Sequence, residues 1–362
     1  MSSSNANLPL WTLIAPVVSG AVMVAAMLGL GGSGIFVGVV GASLAASVFA
    51  AVHHADVVAH RVGEPYGTLV LALAVTLIEV ALIVSLMIAG GEEATALARD
   101  TVFAAVMIIL NGIIGLCLLV GGFKHREQTF SLDGVSAALV ALGAIVVLAL
   151  VFPNYTVTTP GPYYSPSQLI LIAVVSLVIY GAFVFAQTIG HRGIFVPDDS
   201  GKAQQHAPPP SNGVTTASAV LLIACLTAVV LLAKKLAPSL EAAVAHVGAP
   251  NALVGVIIAA IVLLPEGLAA IRAARANRLQ ISLNLALGSA LASIGLTIPT
   301  VGILSLYMQT KLALGIDTKS TVLLMLSLFI TAIALRTGRT ILMHGVVLLV
   351  IFVVYLFTTV VP

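Results

Sequence analysis

Long apolar stretches separated by short polar connections recur along the whole chain. A bilayer core of about 30 Å needs roughly 20 apolar residues per helix, and only helices or closed barrels satisfy every backbone group in lipid. The pattern predicts eleven membrane helices, near residues 9–30, 34–53, 67–90, 101–122, 135–152, 168–190, 214–233, 251–271, 281–305, 320–335 and 341–360. The expected fold class is therefore an all-α polytopic membrane protein.

The longest polar interruption runs from His191 to Gly213 and divides the chain into two similar halves. Its Pro, Gly, Asp and Gln content is typical of a flexible linker, which either only joins the halves or also regulates by sensing ions. The predicted division is an N-terminal helix in 1–33, a five-helix repeat in 34–190, a cytoplasmic linker in 191–213 and a second five-helix repeat in 214–362.

Composition and charge agree with a chain that lies mostly in lipid. Hydrophobic residues make up 60% of the sequence and charged residues 8%, whereas about a quarter of an ordinary soluble domain is charged. The net charge of +2 is scattered over connections, so no basic face exists that would follow a phosphate backbone, and nucleic acid is not expected as a partner. The two cysteines, Cys117 and Cys225, lie inside apolar runs and are not expected to form a disulfide.

Basic residues are distributed unequally between the two sides of the predicted topology. No Lys or Arg precedes the first apolar run, so this run is expected to remain as a membrane helix and not to act as a signal peptide. The N-terminal side and the even-numbered connections hold ten of the 15 basic residues. The positive-inside bias then predicts a cytoplasmic N-terminus and an external C-terminus.

Two of the thirteen acidic residues, Glu79 and Glu266, lie in the middle of apolar spans. An ionised carboxylate at membrane depth costs several kcal/mol, and such residues usually mark an ion or proton pathway. Desolvation favours the neutral form, so one group can alternate between protonated and cation-bound states. The alternative for each is a protonated glutamate in a structural hydrogen bond between helices.

The positions of the two glutamates predict inverted repeats. They lie in the third and eighth predicted helices, and a separation of five helices gives the two halves opposite orientations. Transporters built from inverted repeats place their substrate site near the bilayer midplane. We therefore expect Glu79 and Glu266 to meet there in one ion-binding site.

Oxygen-bearing side chains accompany these carboxylates within the apolar spans. Hard cations such as Ca2+ and Na+ bind oxygen ligands. The predicted companions of the carboxylates are Thr76, Asn111, Ser289 and Ser293. Thr297 continues the four-residue spacing of Ser289 and Ser293. For each of these residues, a hydrogen bond in helix packing is the alternative role.

Three backbone positions are also candidates for a role beside the carboxylates. Pro265 removes a backbone donor next to Glu266 and predicts a broken or bent helix whose freed carbonyls reach a cation. Gly112 and Gly288 allow close backbone approach, either for packing or for ligand access.

Histidines 53, 54 and 60 lie near a predicted membrane boundary. Their spacing lacks the HExxH order of a zinc protease. We expect them to be interfacial residues and not metal ligands.

Several segments resemble the calcium/cation antiporter superfamily. They are RVGEPYGTLVLALAVTLIEV, GGFKHREQTF and PEGLAAIRAARANRLQISLNLALGSALASIGLTIP. The resemblance is greatest to the proton-coupled branch and its bacterial calcium/proton antiporters that also handle sodium and potassium, and it implies a location in the bacterial inner membrane. It implies alternating access, with cations bound between Glu79 and Glu266 and displaced by protons, and it places Gly288 and Ser289 at the family's Gly-Ser pair.

The favoured function is Ca2+/H+ antiport with no bound cofactor, and Na+(K+)/H+ antiport is the alternative within the same fold. Relatives in plants and fungi carry Gly-Asn ahead of each glutamate, whereas this chain has Thr76 and the apolar Leu263 at the Asn positions. A passive cation channel is the alternative of another class. An intramembrane enzyme is not expected, because the spans show no paired catalytic aspartates, GxSxG elbow or HExxH motif.

Overall fold

The computed structural model describes residues 8–28, 34–63, 66–90, 95–190, 192–195, 209–246 and 248–361. Among these residues, 11 helices are long and apolar enough to cross a membrane. They are α1 (Leu10–Met27), α2 (Gly34–Val62), α3 (Tyr66–Gly90), α4 (Leu97–His125), α5 (Leu132–Tyr155), α6 (Pro166–Gly190), α7 (Asn212–His246), α8 (Ala252–Arg275), α9 (Leu279–Met308), α10 (Thr318–Leu335) and α11 (Leu342–Val360). The predicted all-α polytopic class is confirmed.

Some helices extend well beyond the predicted apolar spans or depart from α-helical geometry. Helix α2 continues to Val62 and α7 continues to His246, because a helix does not have to end where the hydrocarbon ends. Helix α4 contains a π-helical segment, Ile108–Ile113, and α5 contains another, Val147–Val151. The predicted linker lies mainly outside the described residues.

The chain forms two compact units, each of which draws helices from both predicted repeats. The first unit comprises residues 1–89 and 202–247, and contains α1, α2, α3 and α7. Helix α2 packs against both α1 and α7. Buried hydroxyls join α1 to α2, since Ser47 donates a hydrogen bond to Ser19 Oγ at 2.6 Å.

His54 is buried between α1 and α2, and the interfacial position of the histidines stays a prediction. Because α2 continues to Val62, His54 lies inside the helix, is fully buried, and its Nε2 lies 3.1 Å from the carbonyl oxygen of Thr12 in α1. Thr12 is the third residue of α1, so His54 contacts α1 near its first turn.

The second unit comprises residues 90–201 and 248–362, and contains the other seven spans. Helix α9 packs against α5, α6 and α8, while α4 packs against α8 and α11. Glycine permits the close contact between α4 and α11: a Cβ added at Gly345 would lie 2.7 Å from the Gly115 carbonyl oxygen. Close approach at small residues is the usual way in which membrane helices associate.

The connections of the second unit fall into two groups. On one side, strand β1 (Glu127–Thr129) after α4 pairs antiparallel with strand β2 (Arg339–Ile341) after α10. Gln128 also donates a hydrogen bond to the Ala274 carbonyl at the end of α8. The three connections follow α4, α8 and α10, so all are even-numbered. If every helix crosses the membrane once, all even-numbered connections lie on the same side, which agrees with these contacts.

The odd-numbered connections of this unit also contact one another. The Leu314 amide after α9 bonds to the Pro162 carbonyl after α5, and the Ala313 amide bonds to the Thr95 carbonyl before α4. Tyr164 in the α5–α6 connection donates its hydroxyl to the Leu148 carbonyl, and burial raises the pKa of this phenol. Within this unit, successive connections therefore alternate between two sides, as the eleven-helix prediction requires.

Candidate functional site

The half-buried carboxylate of Glu266 in α8 accepts a hydrogen bond from a hydroxyl of the neighbouring helix α9. The Ser289 Oγ donates to Glu266 Oε2 at 2.9 Å. A hydrogen bond to an ionised acceptor contributes more than one between neutral groups. The structure thus brings together two residues that the sequence nominated separately.

Of the predicted break or bend at Pro265, the break is absent, while the bend stays a prediction. Helix α8 is continuous from Ala252 to Arg275 and carries Pro265 in its interior. Proline still lacks an N–H, so the Ile261 carbonyl one turn earlier has no helical donor from that position. Packing of α8 against α4 and α9 supports the helix on both sides of this missing bond.

The three glycines near Glu266 have different environments. A Cβ added at Gly288 would meet no atom within 4 Å, so space is open beside Ser289. In contrast, a Cβ at Gly112 would lie 3.3 Å from the Phe352 ring of α11, which makes Gly112 a packing position. Gly267, the residue after Glu266, lies against Ile113, where a Cβ would approach to 3.2 Å. This last contact brings α8 against the π segment of α4 next to the carboxylate.

Asn111 lies in that π segment and is fully buried. Its Nδ2 donates to Ser327 Oγ of α10 at 2.9 Å and to the Met107 carbonyl at 3.4 Å. Its Oδ1 has no hydrogen-bond partner among the described residues. Leaving a buried polar atom unpaired costs about 1–3 kcal/mol, and π segments are frequent at functional sites.

The hydroxyl column predicted on α9 continues beyond Ser289 into the interior of the second unit. Ser293 and Thr297 follow at one-turn intervals and are both buried. The Thr297 Oγ1 has no hydrogen-bond partner within the described part of the chain. The column therefore places oxygen atoms at successive levels of an otherwise apolar helix.

Glu79, the other intramembrane carboxylate, is buried in α3 of the first unit. Thr76 is buried one turn earlier, and its Oγ1 donates to the Ala72 carbonyl at 2.9 Å. This bond occupies the hydroxyl hydrogen and leaves the oxygen lone pairs of Thr76 available as acceptors. The expectation that Glu79 and Glu266 share one ion stays a prediction.

The ligands available for a cation include hydroxyl, amide and backbone oxygens in addition to carboxylates. Over the described ranges, no group of three or more His, Cys, Asp or Glu is arranged to hold a metal ion. The candidate ligands are the intramembrane carboxylates together with hydroxyl, amide and backbone oxygens. Such a set suits hard cations and disfavours transition metals, which prefer nitrogen and sulfur.

Sequence reasoning missed the contribution of α10. Ser327 and Thr331 are fully buried polar residues one turn apart in an apolar span, and Ser327 bonds the Asn111 amide. The same four-residue spacing of hydroxyls that drew attention to α9 is present here. This spacing is the sequence feature from which Ser327 and Thr331 could have been predicted as site residues.

Known proteins resemble this chain in sequence and in fold. The sodium/calcium exchanger protein family model matches residues 32–189 and 217–361. A putative ionic transporter of Sinorhizobium fredii, y4hA, is 48% identical over 319 residues, which cover 88% of this chain and 87% of the relative. The sodium-potassium/proton antiporter ChaA of Escherichia coli is 38% identical over 315 residues, which cover 86% and 85%.

A solved structure extends the likeness to the fold. The crystal structure of the Ca2+/H+ antiporter protein YfkE has a TM-score of 0.71 and 18% identity, and the match covers 98% of this chain and 100% of that one. Together with the match of one family model to both halves, these findings confirm the resemblance to the calcium/cation antiporters. This chain belongs to the sodium/calcium exchanger protein family.

Proposed function

We propose that this protein is a secondary active cation/proton antiporter in which Glu79 and Glu266 bind protons and cations in turn. The observation that carries the proposal is the Glu266 carboxylate, half-buried in an apolar span and bonded to Ser289. A carboxylate in this setting is stable either protonated or paired with a cation, and exchange between these states couples the two ions. Relatives whose names describe antiporters support the same reaction class.

Ca2+ is the first candidate for the exchanged cation. Two intramembrane carboxylates carry two negative charges, which one divalent cation or two protons neutralise. Ca2+ takes 6–8 oxygen ligands, so it would need hydroxyl, amide and carbonyl oxygens in addition to carboxylates. The buried and unpaired Asn111 Oδ1 and the α9 hydroxyls are suitable donors of this kind.

Na+ or K+ is the second candidate, and a specific feature favours it. The position before Pro265–Glu266 that carries Asn in plant and fungal relatives is matched here by the apolar Leu263, which lowers the number of oxygens available. The relative from Escherichia coli, 38% identical, is named a sodium-potassium/proton antiporter. A cation that needs fewer protein oxygens than the 6–8 of Ca2+ is favoured by this loss.

Proton release from proteoliposomes tests the proposal and identifies the cation. Purified protein is reconstituted with a pH-sensitive dye inside the vesicles, and Ca2+, Na+ or K+ is added separately across a pH series. We expect at least one cation to drive proton movement in the opposite direction, and Glu79→Gln and Glu266→Gln each to abolish it. Glu241→Gln, the same change at an exposed glutamate of α7, is the matched control and should retain wild-type exchange.

Two outcomes would reject parts of this proposal. Cation flow without compulsory proton counterflow would identify a passive channel. Coupled exchange that survives both glutamine substitutions would show that the carboxylates do not carry the ions. Binding of one Ca2+ per chain, lost on either substitution, is the result expected if the two carboxylates serve a single cation.

A further inference from the structure

The Asn111 amide is held in one orientation by acceptors on two residues, Ser327 and Met107. Its Nδ2 lies 2.9 Å from Ser327 Oγ and 3.4 Å from the Met107 carbonyl oxygen. A carbonyl oxygen accepts and never donates, so the amide atom facing it must be the nitrogen. A flipped amide would set Oδ1 against the Met107 carbonyl oxygen, which is repulsive.

The Ser327 hydroxyl favours the same orientation. Its hydrogen is directed to the Leu323 carbonyl at 2.7 Å, one turn earlier in α10. With that hydrogen engaged, Ser327 Oγ is an acceptor for the Asn111 Nδ2. Since the contacts to the Met107 carbonyl oxygen and sulfur are long, at 3.4 and 3.8 Å, Ser327 supplies the shortest contact that fixes the amide.

The consequence is that Asn111 Oδ1 is directed away from Ser327. This oxygen is buried and has no partner among the described residues. Asn111 lies in the π segment, and Ile113 of the same segment contacts Gly267 beside Glu266. An oxygen with free lone pairs is thereby buried in the π segment that contacts α8 beside Glu266.

We propose that Ser327 is a positioning residue for cation exchange, which orients the Asn111 amide so that Oδ1 is presented to the transported cation. Ser327 itself does not contact the ion; it acts through Asn111. This inference rests on the proposed antiport function and adds α10 to the elements that determine cation affinity.

Substitution of Ser327 tests the positioning role, because a positioning residue should change the KM for the cation and leave the maximal rate nearly unchanged. In Ser327→Ala the amide keeps only its long bond to Met107, and we expect the KM for the exchanged cation to rise about tenfold, equivalent to about 1.4 kcal/mol. The maximal rate should stay within about twofold of wild type, because the carboxylates that carry charge are unchanged. Ser327→Thr retains an acceptor at the same position and should restore the KM.

Two comparisons separate positioning from a general loss of stability. In the Asn111→Ala background, Ser327→Ala should have no further effect on KM, since both changes remove the same contribution. Ser305→Ala, which deletes a buried α9 hydroxyl bonded to the Thr310 carbonyl, should leave KM unchanged. Thermal unfolding of each variant in detergent monitors folding.

The outcomes distinguish this inference from the proposed function. If wild-type protein couples cation and proton fluxes but Ser327→Ala keeps the wild-type KM, the positioning role is wrong and antiport stands. The role is equally wrong if the effects of Ser327→Ala and Asn111→Ala add in full. Failure of the wild type to couple the fluxes would instead reject the proposed function itself.

Discussion

At the scale of single residues, Ser289 and Thr300 of α9 differ in the group that accepts the hydrogen bond from their hydroxyl. Thr300 donates its hydroxyl to the Leu296 carbonyl of its own helix at 2.8 Å, whereas Ser289 donates across to the Glu266 carboxylate. A bond within the helix satisfies the hydroxyl locally. The bond from Ser289 instead fixes the orientation of an intramembrane carboxyl group, so the two residues should differ in their effect on transport.

Replacement of Ser289 by alanine should weaken cation binding. The change removes both a donor to Glu266 and an oxygen that is able to bind a cation, and we expect the KM for the exchanged cation to rise roughly fivefold to twentyfold, the range of about 1–2 kcal/mol for such a bond. Initial rates of cation-driven proton release over a range of cation concentrations measure it. Thr300→Ala is the control on the same helix and should keep the wild-type KM; equal effects of the two substitutions would remove any special role for Ser289.

At the scale of elements, apolar length predicted which segments are membrane helices but not their geometry. The span containing Asn111 was found from its hydrophobicity, yet nothing in its residues indicates the π segment Ile108–Ile113. That geometry depends on packing against α8, α9, α10 and α11, which only the fold supplies. The expected break at Pro265 failed for the same reason, because local backbone chemistry was outweighed by packing around α8.

The candidate site was predictable where chemistry is visible in a single residue. A glutamate or a hydroxyl in an apolar span stands out, so Glu266 and Ser289 were both nominated. Ser327 was missed because its importance comes from Asn111, which is 216 positions away along the chain. The helix-packing role of Gly112 likewise depends on Phe352, a partner that spacing along the sequence does not reveal.

The contact between α4 and α11 should not tolerate a larger residue at Gly345. An added methyl group would lie 2.7 Å from the Gly115 carbonyl oxygen and would collide with the Leu119 backbone nitrogen, and neither can move without shifting α4. We expect Gly345→Ala to destabilise the protein by roughly 1–3 kcal/mol, the usual cost of overpacking. A lower Tm in detergent is the measurement.

Gly143 of α5 provides the matched control for that substitution. A Cβ there would meet no atom within 4 Å, so Gly143→Ala should leave the Tm unchanged or slightly raised. If Gly345→Ala had no effect on Tm, the close backbone contact between α4 and α11 would not exist in the membrane.

At the scale of the whole molecule, the distribution of charge gives the topology a direction. Hydrogen bonds group the even-numbered connections of the second unit on one side and the odd-numbered ones on the other, but they do not identify the cytoplasmic side. The basic residues predict which side it is: ten of the 15 belong to the even-numbered connections of the whole chain, and positive charge is usually retained in the cytoplasm. In the first unit, Arg61 after α2 donates to the Pro210 carbonyl just before α7, which joins two further even-numbered connections.

Cysteine labelling in intact cells tests that direction. Lys311 after α9 and Arg336 after α10 are both exposed, while the native thiols of Cys117 and Cys225 are free and buried, so they should react slowly. A membrane-impermeant maleimide should label Lys311→Cys in whole cells and should label Arg336→Cys only after the membrane is opened. The reverse pattern would place the N-terminus outside. Labelling of both positions from the same side would contradict a single crossing by α10 and, with it, the eleven-helix topology from which opposite orientations of α3 and α8 follow.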